Sequence, residues 1–303
     1  MLPGRKETDI SSLEPLADRN QLIKRLRLST LAKVTSAIEA IKINAMSLEK
    51  RGNRLMWIKR RQPGSGVIAL FANFFFRLAG AQIHLWISLK RWQSWEVACF
   101  RLLYGRTLQV YPEGRRTVCA EKVPGISLRD CVLKETLAMP AIAAAGKELR
   151  RAHGLWCSEL GDYWSHGDPH LENLIYDSRT GRARLIDFEL IHHKSLPAIK
   201  RHADDLLVFL QDLMSFVTAE DWIPLARTLI DAYDQPAVVD EIRKQLIIPR
   251  GLSAIWWKLR TDYLSRDVMI ERINSLQDAL SQDDSLSGRR RYVPALPEVA
   301  VGT

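Results

Sequence analysis

Glycine is missing from a long opening stretch: none occurs between Gly4 and Gly52. A glycine-rich loop that cradles phosphate with bare backbone is therefore excluded from that region. The four cysteines, Cys99, Cys119, Cys131 and Cys157, contain no C-x-x-C pair. This argues against a structural zinc site and gives no disulfide framework, so they are expected to be reduced thiols in the core. Acidic residues are scarce at the front. Residues 1–116 hold 21 basic and 8 acidic residues, a net of +13, whereas residues 117–303 hold 23 and 27, a net of −4. The asymmetry points to two substructures and to an anionic partner for the first, such as nucleotide, nucleic acid or lipid headgroup. The start, MLPGRKETDISS, lacks an apolar run behind a basic opening. No signal peptide is expected, and the expected compartment is the cytoplasm. What remains is ordinary globular material: 47 % hydrophobic and 26 % charged residues in 303, enough for one large domain or two packed lobes.

Residues 1–18 are polar and read as a flexible arm, and 19–41 mix Leu, Ile and Val with Lys and Arg in a helical rhythm. INAMSLEK, RGN and RLMWIKRR read as strand, turn and strand. A second hairpin is expected over 107–122, turning at Pro112-Glu113-Gly114. Between them Trp92, Trp95, Cys99, Leu102 and Leu103 share one face of a helix that Gly105 can stop. After Val123-Pro124-Gly125 the pattern turns helical, with segments at 127–138, 140–153, 203–217, 220–232, 236–246, 251–264 and 266–281. A strand–turn–strand at 173–188 interrupts them, turning near Asp177–Gly181, and 282–303 read as a flexible tail.

The chemistry concentrates in 166–189: His166-Gly167-Asp168-Pro169-His170-Leu171-Glu172-Asn173, then Leu185-Ile186-Asp187-Phe188-Glu189. These residues resemble the H-G-D-x-H-x-x-N … I-D-F-E loops of protein-kinase-like phosphotransferases. The form is typical of aminoglycoside phosphotransferases and choline kinases, with related forms in the lipopolysaccharide-core sugar kinases. The resemblance implies that Asp168 accepts or orients the acceptor hydroxyl, and that Asn173 and Asp187 hold Mg²⁺ against the phosphates of ATP. His166 is expected to pack beneath the loop. It further implies a strand lysine paired with a helix glutamate, for which Lys59 and Glu96 stand in the right order. Glu121 to Gly125 falls at the hinge, so the backbone at Glu121 and Val123 would meet the adenine. The implied fold is α+β and two-lobed: a small antiparallel-sheet N-lobe with inserted helices over 19–122, and a larger, mainly helical C-lobe over 123–281.

Three departures qualify the resemblance. The glycine-rich phosphate cover is missing before Lys59, so small residues at a turn near Ala45–Ser47, or a basic side chain such as Arg54, would have to replace it. Gly167 stands where many protein kinases carry arginine, so control through a phosphorylated loop is not expected. Glu189 replaces the usual glycine after the metal aspartate, adding a carboxylate. The stretch between Asp187 and Asp204-Asp205 is short and lacks an A-P-E-like element, which favours a small or sugar hydroxyl over a protein. Asp204 or Asp205 is expected to open a helix, either capping it or taking backbone hydrogen bonds from the catalytic loop.

Residues 66–87 form an apolar insertion whose one formal charge is Arg77, flanked by Lys59, Arg60, Arg61, Lys90 and Arg91. A single crossing would put Lys59 and Asp168 on opposite sides of a membrane. The readings are therefore a buried helix or a helix–turn–helix hairpin, or an apolar face lying on anionic lipid at the inner membrane surface. Together these features lead us to expect an ATP- and Mg²⁺-dependent kinase for a sugar or glycolipid hydroxyl of the cell envelope, with no nucleic acid partner. A soluble small-molecule kinase, a protein serine/threonine kinase and a non-catalytic pseudokinase scaffold are the alternatives.

Overall fold

A computed structural model describes residues 43–286, with side chains to 282. The expected arm at 1–18, the helical rhythm at 19–41 and residues 287–303 of the expected tail lie outside the described residues. The chain opens with β1 (Asn44–Arg51) and β2 (Arg54–Arg61), an antiparallel hairpin turning through Gly52 and Asn53. Ala45 to Ser47 lie inside β1, so no phosphate-covering turn exists there. The apolar insertion is not a helix pair. It forms α1 (Ser65–Leu78) and then a short strand, β3 (Ile83–Leu85). The reason is local: Asn73 donates from Nδ2 to Leu85 O at 2.9 Å and accepts from Leu85 N at 2.7 Å, so a side chain supplies one edge of the strand.

Helix α2 (Leu89–Tyr104) starts at Ser88, whose hydroxyl accepts from Arg91 N, and ends at Gly105 with φ 56°. Its inward face carries Trp92, Trp95, Glu96, Cys99, Phe100 and Leu103, the expected stripe with Glu96 added and Leu102 only half-buried. Strands β4 (Val110–Glu113) and β5 (Thr117–Glu121) complete a four-stranded antiparallel sheet in the order β1-β2-β5-β4. The second turn falls at Gly114–Arg116 rather than at Pro112–Gly114. Pro112 pairs with Val118 inside β4, which is tolerated because β4 is an edge strand.

The chain leaves the sheet through Val123-Pro124-Gly125. Gly125 has φ 115°, and a Cβ there would lie 2.3 Å from Tyr176 O. Then come β6 (Ile126–Ser127), α3 (Leu128–Leu133) and α4 (Met139–His153). Next are β7 (Trp156–Cys157), β8 (Asp162–Tyr163), β9 (Leu174–Asp177), β10 (Arg182–Leu185) and β11 (Leu190–His192). Strand β11 pairs with β3. The helical remainder is α5 (Ala198–Phe216), α6 (Ala219–Tyr233), α7 (Pro236–Gln245), α8 (Leu252–Arg260) and α9 (Arg266–Leu286). The fold is thus the expected α+β arrangement, a small antiparallel sheet beside a larger helical part.

Helix α5 begins five residues before the expected 203, and two polar side chains near its start, Arg201 and His202, are buried and paired. Arg201 donates to Leu196 O, Tyr163 O and Asp162, and His202 Nε2 meets Trp164 O at 2.9 Å. Helix α3 is shorter than 127–138, α8 stops at Arg260 and α9 runs beyond 281. All four cysteines are free and buried, as expected. No described helix is long and apolar enough to cross a membrane.

Candidate functional site

Alternation along β2 sends Met56 and Ile58 to one face of the sheet, packed with Cys119. Trp57 and Lys59 face the other way and line a cavity of about 520 Å³ between sheet and helical part. Lys59 is buried, and its Nζ lies 2.5 Å from Glu96 Oε1, 2.6 Å from Asp187 Oδ1 and 2.8 Å from Glu189 Oε1. The structure therefore joins Lys59, Glu96 and Asp187, residues far apart in the chain, and adds Glu189, which sequence reasoning had assigned only to general charge near the metals. A signal was available: Glu189 stands only two positions after Asp187, near enough in the chain for both carboxylates to reach one cation.

The charges set one another. Burial works against the Lys59 ammonium, but the three carboxylates outweigh it and raise its pKa. Burial would lift Asp187, yet the Lys59 charge holds it below the usual carboxylate range. Glu96 is raised by burial, partly opposed by Lys59. Glu189 is pushed up to about 7 by burial and by repulsion from Asp187 and Glu96. Asp187 itself has φ 63°, a left-handed backbone that Asp tolerates better than most residues. Its neighbours hold that conformation: Trp95 Nε1 donates to Phe188 O at 2.8 Å and Ile186 N to Asn173 O at 2.9 Å.

The loop of Asp168 and Asn173 rests on α5. Asp205 accepts from His166 N and Gly167 N, both at 2.7 Å, and its Oδ2 lies 3.0 Å from His153 Nε2. It sits mid-helix rather than opening one, so of the two expected roles it takes the loop-holding one. Asp204 instead binds Arg260 and His192. Gly167 has φ 90°, and a Cβ would lie 2.5 Å from Leu190 O, which is why no arginine stands there. His166 is buried beneath the loop as expected, with Nε2 3.0 Å from Ile186 O and Nδ1 accepting from Asp168 N. Burial lowers its pKa, so it is a neutral strut.

Asp168 is 29 % exposed, with His170 Nε2 3.6 Å from its Oδ2. Burial opposes protonation of His170, but Asp168 and Asp212 outweigh it and raise its pKa. Asn173 donates from Nδ2 to Asp168 O at 2.9 Å. Neither Asp168 nor Asn173 lines the 520 Å³ cavity, which ends on their loop at Glu172.

Glu121 and Val123, expected at a hinge, do line the cavity. The Glu121 side chain, however, is turned to Arg54 and to Gln109 N. Arg54 is thus engaged at the hinge end of β2 and borders a separate hollow with Pro124 and Arg179, so it does not stand in for a phosphate cover near Lys59. The cavity is walled by Val118 and Ala120 from the sheet and by Ile175 and Ile186 from the helical part. These four side chains make facing apolar walls, and no local pattern in the chain marks them.

Glu96, Asp187 and Glu189 bring ligand oxygens within 4.8 Å of one another, but the Lys59 ammonium already touches all three. The expected Mg²⁺ ligands, Asn173 and Asp187, each keep an oxygen that could meet the ion. Asn173 spends its amide N–H on Asp168 O, leaving Oδ1, and Asp187 uses Oδ1 on Lys59, leaving Oδ2. These are hard oxygens of the kind Mg²⁺ takes.

No family model matches the sequence, and no curated protein matches it. Among solved structures, a Plasmodium vivax ethanolamine kinase aligns over 89 % of this chain and 95 % of its own, at 10 % identity and TM-score 0.42. The aminoglycoside phosphotransferase APH(2'')-Ib, ADP-bound, aligns over 80 % and 95 %, at 13 % identity and TM-score 0.39. The bifunctional kinase-methyltransferase WbdD aligns over 77 % of this chain and 47 % of its own, at 15 % identity and TM-score 0.39.

Proposed function

We propose that the protein is an ATP- and Mg²⁺-dependent phosphotransferase acting on a non-protein hydroxyl, preferably that of a sugar or glycolipid of the cell envelope. The observation that carries this reading is the Lys59 ammonium held by Glu96, Asp187 and Glu189 at the inner end of an apolar slot. Adenine would occupy the slot against the backbone of Glu121–Val123, and Lys59 would meet phosphate oxygens. Asn173 and Asp187 would hold Mg²⁺, which would supply charge neutralisation to the transferring phosphoryl group. Asp168 would orient the acceptor hydroxyl and take its proton as that oxygen bonds to the γ-phosphorus, while the bond from that phosphorus to the bridging oxygen breaks and the electron pair leaves with ADP.

A non-protein acceptor is favoured by the segment after Asp187. It pairs with β3 through β11 and reaches α5 by residue 198, leaving little chain for a peptide platform. The scaffold reading is favoured by one observation, the glycine-free β1 beside Lys59. Calorimetry of the full chain with ATP and Mg²⁺ separates the two. Binding at millimolar ATP or below, lost in Lys59→Ala, is expected of the enzyme. No binding with either Mg²⁺ or Mn²⁺ leaves the scaffold.

A further inference from the structure

Helix α1 is apolar on both sides, and only one side is used within the described residues. Ala69 and Phe76 are buried, Phe75 and Phe76 pack on Trp256 of α8, and Asn73 is tied to β3. The opposite side presents Val67, Leu70, Phe71, Phe74 and Leu78, which are 59, 56, 69, 62 and 52 % exposed. Their spacing of three and four residues makes one continuous stripe. A contiguous apolar patch of this kind on a folded surface marks an interaction site.

The chemistry around the stripe indicates what covers it. No Asp or Glu occurs between Glu49 and Glu96, while Arg60, Arg77, Lys90 and Arg91 are exposed there. A groove lined by Leu70, Phe74, Arg77 and His84 borders the stripe. His84 also lines a second groove with Lys90, Arg91 and Lys194, in which Glu159 is the one acid. The apolar stripe therefore runs into a cationic trough. Two copies facing each other through this surface would set like charges together. An anionic bilayer instead offers acyl chains to the stripe and phosphate headgroups to the trough. At 14 residues the helix is about 21 Å long, short of the hydrocarbon thickness, so it would lie in the interface.

We infer that the outward face of α1 and the adjoining Lys90–Arg91–Lys194 trough seat this protein peripherally on an anionic lipid surface. The inference does not depend on phosphoryl transfer, and its test needs no nucleotide. The full chain is floated with vesicles of phosphatidylcholine alone or with one-third phosphatidylglycerol, at about 0.1 M and about 0.5 M salt. Flotation with the anionic vesicles is expected, falling at high salt. Phe71→Asp with Phe74→Asp should weaken it by about tenfold or more, and Lys90→Glu with Arg91→Glu should abolish the preference for anionic lipid. All four positions are exposed, so thermal unfolding of both variants should match the parent. Absence of flotation, or flotation unchanged in both variants, overturns the inference. So does light scattering that finds a dimer which Phe71→Asp with Phe74→Asp dissociates, since a second copy would then cover the stripe. Calorimetry with ATP on the same variants reports separately on the kinase reading.

Discussion

Asp205 is a residue whose influence reaches the site without touching it. Burial acts to raise its carboxyl, but the His192, His153 and His166 side chains and its hydrogen bonds bring it down to about 2, against 3.8 unperturbed. A folded pKa below the unfolded one stabilises the fold above the unfolded value, and that stabilisation disappears as pH falls through the folded one. Asp205 is thus expected to contribute about 2 kcal/mol at neutral pH, lost between pH 3.8 and about 2. Asp205→Asn should be less stable at pH 7 and show a flatter loss of stability across that window in urea titrations. Gly167→Ala places a methyl group against Leu190 O and demands a left-handed backbone. It should cost about 1–3 kcal/mol, read by thermal unfolding. For the chemistry, Asp187→Asn should weaken Mg²⁺-dependent nucleotide binding in calorimetry. Asp168→Asn should leave binding nearly intact while turnover falls by about 10²–10⁴. Unchanged turnover in Asp187→Asn would remove it from the metal site.

At the scale of elements, the segment α1–β3 departs most from what the sequence suggested. Asn73→Ala strips β3 of the two hydrogen bonds to Leu85 and leaves a half-buried N–H and C=O unpaired. A loss of about 2 kcal/mol is expected in thermal unfolding, and His84 and Leu85 amides should exchange faster with solvent. The two hairpins of the sheet were legible because period-two apolar patterning and the Gly52 turn are local signals. The β3–β11 pair was not, since Ile83 and His192 meet only through tertiary contact. Pro112 misled for a related reason: proline is a turn signal in sequence, and only the sheet order reveals that it stands on an edge. The start of α5 was hidden because Arg201 and His202 are satisfied in the interior by carbonyls distant in the chain, which no local pattern shows.

At the scale of the whole molecule, the 166–189 stretch carried most of the functional information, because its polar positions sit at fixed spacing around two apolar strands. Lys59 and Glu96 could be proposed from order alone. That Glu189 joins them, and that Arg54 does not reach the phosphate end, required the three-dimensional arrangement. If ATP bridges the sheet and the helical part, Mg²⁺-ATP should raise the unfolding temperature of the full chain by mass action, and Lys59→Ala should abolish that rise.

The pairing of β11 with β3 has a consequence for control. The stretch directly after Asp187 is stitched into a ladder from Leu190 to His192, and Gly167 is wedged against its first residue. Lys59 and Glu96 are in contact beside it. A modifying enzyme acting on residues 190–192 would have to break that ladder before it could reach them.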